Sequence, residues 1–479
     1  MKHLFLAACA TAAFSSAAAS AQHADHSQHG RHGQAAPAPA PAPAPVPAPA
    51  PARPEAEQAP DPHAAHRAAA APVSEPADPH AGHEVDDGIY PTGTPRGAHG
   101  THPMQREAAG TAWQPDSAIH GGVHRATGDW QLMGHALVNA VYDRQQVPRG
   151  DGMGFVSGMV MGNARRGLGR GGMLQLRAML SPDPLMGARG YPLHLAAGET
   201  ADGATTLVDR QHPHDLFIEL SASASIRVGA GASLFVYGGL PGAPAFGPPA
   251  FMHRMSAMDS PEAPISHHWL DSTHIAFGVV TAGLVLGDLM IDASRFNGRE
   301  PNQDRWDIET GPLDSTAARI SINPIRELAL QASWTHLVAP EQLEPDENET
   351  RWSASAIWTR RFGERSWMST TFAWGRRSAG HDRLDAFALE AAAGLGDWTL
   401  FARAERIETN ELLSAGGHHG PVFDVAKVSA GVIRDLRVAD HVRLGVGGLY
   451  ALNFVPRGLE TSYGGDPDGA MLFLRLRID

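Results

Sequence analysis

From residue 128 onward the chain runs in a two-residue rhythm. In the stretch 216–228, Leu216, Ile218, Leu220, Ala222, Ala224, Ile226 and Val228 fall on one face, and Glu219, Ser221, Ser223, Ser225 and Arg227 fall on the other. A period of two is that of a β-strand, whose successive side chains point to opposite faces. Around 351–359, Trp352, Ala354, Ala356 and Trp358 alternate with Arg351, Ser353, Ser355 and Thr359. At the C-terminus Leu472, Leu474, Leu476 and Ile478 alternate with Phe473, Arg475 and Arg477. Trp130 and Tyr142 bracket a further run, WQLMGHALVNAVY. That run is roughly 40 Å of strand at about 3.3 Å per residue. An unbroken apolar face opposite a charged one, with aromatics at the ends, suits a lipid-surrounded barrel with a polar interior.

The same reading gives about sixteen strands. They lie near 128–143, 152–162, 171–181, 214–228, 232–239, 273–283, 285–296, 316–323, 327–338, 350–361, 366–377, 384–394, 398–409, 423–435, 439–451 and 469–479. Short connections near 229–231, 283–284, 323–325, 362–365 and 394–397 follow even strands. Long ones, 182–213, 240–272, 297–315, 339–349, 410–422 and 452–468, follow odd strands. Membrane barrels have short turns at one end and long loops at the other, whereas a soluble sandwich gives no reason for such parity. The fold expected over 128–479 is therefore all-β, a transmembrane antiparallel β-barrel. A barrel this wide is expected to leave an aqueous lumen.

The first 127 residues follow different rules. Residues 1–21 have a basic start, an apolar run and an Ala-Ser-Ala end, the pattern of a cleaved secretory signal. The only cysteine, Cys9, lies within it, so the mature chain has neither a disulfide nor a thiolate ligand. Residues 22–127 are expected to form a disordered periplasmic leader, rich in His and in Ala-Pro repeats. His23, His26, His29, His32, His63, His66, His80, His83, His99 and His102 recur along it at short intervals. Paired imidazoles of this kind offer loose, multivalent sites to Cu, Zn or Ni. The formal net charge of −13 argues against nucleic acid as a partner.

Two long loops carry the remaining candidate chemistry. The stretch 209–215, DRQHPHD, holds Asp209, His212, His214 and Asp215. The stretch 246–274 holds Met252, His253, Met255, Met258, His267, His268, Asp271 and His274, with four prolines. The loops flank the short fourth and fifth strands, so they are expected to emerge side by side and to narrow or plug the lumen. Imidazole and carboxylate suit Cu(II) or Zn(II), and thioethers favour Cu(I). Two plainer readings stand beside ligation: methionines filling gaps against the wall, and histidines hydrogen-bonded to pin a packed loop. The mixed charges Arg299, Glu300, Asp304 and Arg305 read as salt-linked packing of the following loop. Ser266, Ser272, Asp271 and the histidines hold the residue types of a hydrolytic triad, but no G-x-S-x-G elbow accompanies them, and no enzymatic activity is expected.

The stretches DRQHPHD (209–215), GPPAFMHR (247–254), PEAPISHHWLDSTH (261–274) and FNGREP (296–301) resemble signatures of a family of poorly characterised bacterial outer-membrane proteins, often encoded beside copper and other heavy-metal resistance systems. The resemblance covers residues 125–479. It implies an outer-membrane barrel linked to metal handling and brings no established activity or catalytic residue. The expectation is a barrel that contacts outer-membrane lipid and binds, passes or sequesters transition-metal ions, copper first. It requires no cofactor beyond Cu or Zn ions, and its partners would include periplasmic metal-handling proteins. The alternative is a general or small-solute porin, or a surface scaffold, whose loop motifs are structural.

Overall fold

The structure, a computed structural model, describes residues 95–119, 121–169, 171–363, 365–413 and 419–479. The signal segment and the leader histidines His23, His26, His29, His32, His63, His66, His80 and His83 lie outside the described residues.

The strands are β1 (Val123–Thr127), β2 (Trp130–Gln145), β3 (Gly152–Gly167), β4 (Met173–Leu180), β5 (Tyr191–Thr200), β6 (Thr206–Gln211), β7 (Phe217–Gly229), β8 (Ala232–Gly239), β9 (Val279–Leu286) and β10 (Leu289–Phe296). They continue as β11 (Ser315–Ile325), β12 (Leu328–Leu337), β13 (Glu349–Arg361), β14 (Ser366–Ala379), β15 (Asp382–Leu395), β16 (Trp398–Thr409), β17 (Phe423–Ala439), β18 (Val442–Phe454) and β19 (Asp468–Ile478). β2–β4 and β7–β19 pair in order, each antiparallel to the next, and β19 returns to β2. This closes a 16-stranded transmembrane barrel. β1 folds back on the start of β2, and β5 and β6 form a separate hairpin.

Alternation sorts side chains between lipid and lumen. In β19, Leu472 and Leu474 are 68% and 60% exposed, while Phe473 between them and Arg475 after them are 3% and 1% exposed. Each expected strand has its counterpart. The turn expected at 283–284 falls at Gly287-Asp288, while the turn expected at 394–397 falls at Gly396-Asp397, inside the expected span. Gly283 and Gly394 are mid-strand or strand-end positions covered by the rings of Phe235 and Trp367, where a Cβ would meet ring atoms at 2.2 Å. Glycine in a strand marks such a close approach as readily as it marks a turn. β9 also starts at Val279 rather than near 273, because His274 is still tied into the loop by the carbonyl of Asp271.

The wall is uneven. β4, β8, β9 and β10 have 8 residues each, whereas β17 has 17.

Part of the lumen is occupied by the chain itself, in line with the expected narrowing by loops. Residues 95–119, expected within the disordered leader, are folded inside the turn end of the barrel. Arg106 forks onto Asp116 at 2.6 and 2.8 Å and reaches Asp288 of the β9–β10 turn at 2.9 Å. Glu107 accepts from Arg165 of β3 at 2.9 Å, and Thr111 donates to Asp292 of β10 at 2.6 Å. Charged groups that match the wall outweigh the weak local propensity of this segment. His99 and His102 are therefore not loose tail ligands. Both are buried beside Glu107, with His102 Nε2 at 3.1 Å from its carboxylate.

Candidate functional site

The loop end is closed by the two segments that carry the histidines. The β4–β7 connection folds inward as the β5–β6 hairpin. The β8–β9 connection fills the space beneath with short turns, including helix α1 (His267–Leu270). The hydroxyl of Tyr191 accepts from the Ala263 N–H at 2.9 Å and joins the two.

Ion pairs fix the long loop to the wall. Arg254 forks onto Glu390 of β15 at 2.9 and 2.7 Å and donates to Asp271 at 2.5 Å. Asp259 accepts from Arg475 of β19 at 2.6 Å. Glu262 pairs with Lys427 of β17 at 2.5 Å, and the backbone and hydroxyl of Ser266 donate to Glu405 of β16. All of these groups are buried. In a low-dielectric interior each charge needs its partner, so the loop can lie inside only because the wall carries the complementary set.

This packing gathers five histidines. Ring centres lie 5.3 Å apart for His214 and His274 and for His267 and His274. They lie 5.5 Å apart for His267 and His268, 5.6 Å for His212 and His268, and 6.1 Å for His212 and His267. Three of the rings are oriented in the same way. His267 Nδ1 lies 2.6 Å from Asp271 Oδ1, His274 Nδ1 2.7 Å from the Asp271 carbonyl, and His214 Nδ1 2.8 Å from Asp183 Oδ2. An acceptor at Nδ1 holds the proton there and leaves Nε2 with a free lone pair, the tautomer that ligates metals. The Nε2 of His274 is buried with no hydrogen-bond partner.

The electrostatics keep most of these rings neutral. Burial drives His274 down to about 3, helped by the neighbouring His214 and His267. Burial also lowers His267, against the pull of Asp271, and it holds His212 well below its usual value with Arg305 nearby. His268 is the exception: burial lowers it, but Glu300 outweighs burial and raises it. Burial raises Glu199 to about 7 and Asp215 to about 6, each against the pull of Arg305.

The remaining expected ligands are elsewhere. Asp209 pairs with Arg149 at 2.5 Å and accepts from the Leu195 N–H and the Tyr463 hydroxyl. Asp215 pairs with Arg305 at 3.3 Å. Both carboxylates are thus taken up by arginine rather than facing the cluster. Asp271 orients His267 and answers Arg254. Met252, His253, Met255 and Met258 line a cavity on the turn side, and Met252 and Met258 also border the space that holds His212 and His214. Sequence reasoning missed Asp183 as the holder of His214. It also missed Glu199, 3.1 Å from His212 Nε2 though not aligned as a hydrogen bond, and gave Glu300 only a packing role. These partners are far apart in sequence and carry no local signal.

The ring nitrogens of three or more of these histidines do not all lie within 4.8 Å of one another. Among the described residues only Glu344, Glu347 and His419, on outer loops, meet that condition. Two imidazoles on one tetrahedral ion, each nitrogen about 2.0–2.1 Å from it, hold their ring centres roughly 5 Å apart. The 5.3 Å spacings about His274 are close to that separation.

No family model matches the chain, and no curated protein matches it. Solved structures that resemble it are outer-membrane barrels. They include OmpF of Salmonella typhi in complex with daunomycin, with a TM-score of 0.47 and 11% identity over 74% of this chain and 100% of that one. OmpT of Vibrio cholerae gives 0.41 and 8% over 74% of this chain and 100% of that one. The outer membrane channel DcaP of Acinetobacter baumannii gives 0.40 and 10% over 75% of this chain and 100% of that one. The likeness is one of barrel architecture.

Proposed function

We propose that this outer-membrane barrel binds transition-metal ions, copper first, at His214, His267 and His274, with His212 and His268 beside them, and passes or retains them there. One observation carries the reading. Three imidazoles, His267 and His274 buried and His214 half-buried, have Nδ1 engaged by Asp183 or Asp271, and their rings are clustered at metal-site spacing. The His-rich leader would raise the local metal concentration. The test is equilibrium titration of the full chain with Cu(II) and Zn(II), beside a His214→Asn, His274→Asn variant. The variant should lose one equivalent of bound metal while the leader's binding remains. Equal stoichiometry and affinity in the two proteins would refute the site.

A second reading is a small-solute porin whose histidines only pin the loop. It is favoured by the fact that three of the rings already have a protein partner at Nδ1. Conductance in planar bilayers separates the two. Passage of small solutes through the unliganded wild type would support the porin, whereas a closed barrel fits the metal site.

A further inference from the structure

A second concentration of ligand atoms lies on the turn side of the histidines, around a cavity of about 60 Å³. The inner plug contributes Met104, strands β2 and β3 contribute Met133, Met159 and Met161, and the long loop contributes Met252, Met255 and Met258. These seven are nearly half of the chain's 15 methionines. Their convergence has a simple local cause. Met159 and Met161 are two apart on β3 and share its inner face, and the β2–β3 register places His135 opposite Met161. The loop methionines recur every third residue through a helix-like turn, in which the Met258 N–H donates to the Arg254 carbonyl at 2.9 Å.

The ordinary use of methionine is to fill irregular gaps. Here the gap stays open with seven methionines around it. Thioether sulfur is neutral, polarisable and soft, a poor ligand for Ca, Mg or Zn and a good one for Cu(I) and ions like it. The cations that also line the cavity are already answered. Arg165 pairs with Glu107, Arg177 with Glu219, and Arg477 with Asp479. One sulfur is partly engaged, since Met255 accepts the Ile119 N–H at 3.1 Å. A neighbouring space of about 50 Å³ shares Met159, Met252 and Met258 with this cavity and reaches His212 and His214. The thioethers therefore open towards the histidine cluster.

We propose that the methionine-lined cavity is a binding site for a soft monovalent cation of the Cu(I) and Ag(I) class, separate from the histidine site. It rests on sulfur and stands or falls independently of the imidazoles. The test uses Ag(I), which mimics Cu(I) without redox chemistry, on the full chain. X-ray absorption at the silver edge should show sulfur neighbours. A Met159→Leu, Met161→Leu, Met252→Leu, Met258→Leu variant, which nearly conserves side-chain volume, should lose that sulfur shell and one equivalent of silver. Zn(II) binding should be unchanged in it. Silver with only nitrogen and oxygen neighbours in the wild type would overturn the proposal, and that measurement decides even where the variant does not fold. A sulfur shell that survives in a folded variant would overturn it equally. Retention of the sulfur shell in a His214→Asn, His274→Asn variant would support two separate sites.

Discussion

Replacing Arg254 with Met should release the loop that fills the barrel. Arg254 is 1% exposed and faces two carboxylates: Glu390 on the wall at 2.9 and 2.7 Å, and Asp271 in the loop at 2.5 Å. It also donates to the Pro249 carbonyl at 2.7 Å. Methionine approximates the stem and supplies no donor, so Glu390 and Asp271 are left buried and uncompensated. Breaking a buried pair from one side costs about 3–5 kcal/mol. The barrel wall, held by sixteen ladders, does not need this contact, so the cost falls on docking of residues 240–278. The expected result is faster hydrogen exchange across that segment and a conductance in planar bilayers above that of the wild type. An Arg254→Met, Glu390→Met double variant, which removes one of the orphaned carboxylates, should recover part of the protection. If Arg254→Met leaves conductance and exchange unchanged, the loop is not held by this ion pair and the account of the plug is wrong.

Acidification should weaken the loop end. The folded state holds His274 at about 3, so below the ordinary histidine value of about 6.5 the unfolded chain takes up a proton that the folded chain refuses. Stability then falls with falling pH by up to about 1.4 kcal/mol per unit for each such group. His268 acts in the opposite sense: raised by Glu300, its contribution is present below its unfolded value and lost as pH rises through its folded one. The heat-modifiability midpoint on detergent gels, followed from about pH 4 to pH 8, should show an acid limb that His274→Gln flattens; an unflattened limb counts against the assignment. Gly375→Ala places a Cβ 2.5 Å from the Trp269 carbonyl oxygen, so α1 must shift. A loss of about 1–3 kcal/mol in docking, with weaker metal binding, should be read by exchange and titration. Leu474→Arg puts a charge on the lipid face at a 60% exposed position. It should cost roughly 2–4 kcal/mol in folding into bilayers, measured by urea titration in vesicles.

The barrel was legible because its signal is local. Alternation in β7, β13 and β19 is carried by neighbouring residues, and the lipid supplies one uniform requirement for the outer face. Glycine misled at Gly283, where the deciding atoms are those of the Phe235 ring on the adjacent strand. The histidine cluster was half legible. His212 and His214 share one short motif and His267, His268 and His274 another, so their meeting needed only the two loops to be adjacent. The groups that orient them, Asp183 and the Arg254–Glu390 pair, come from positions that no spacing rule connects. The inner plug was read as leader because 95–119 has no periodicity. The available signal was compositional: Arg106, Glu107, Trp113 and Asp116 break the His and Ala-Pro pattern that precedes them.

The uneven wall has a consequence for the membrane itself. Strands β8, β9 and β10, 8 residues each, rise only about 20 Å at a tilt of about 40°. The apolar belt of an outer-membrane barrel is about 25 Å tall, and β17, with 17 residues, overshoots it. Lipid packed against the low side must shorten or tilt its acyl chains, at a fraction of a kcal/mol for each ångström of mismatch. The bilayer around this protein therefore has a pinched sector and a full-thickness sector, and the molecule stands in it with a preferred side for short-chain lipids.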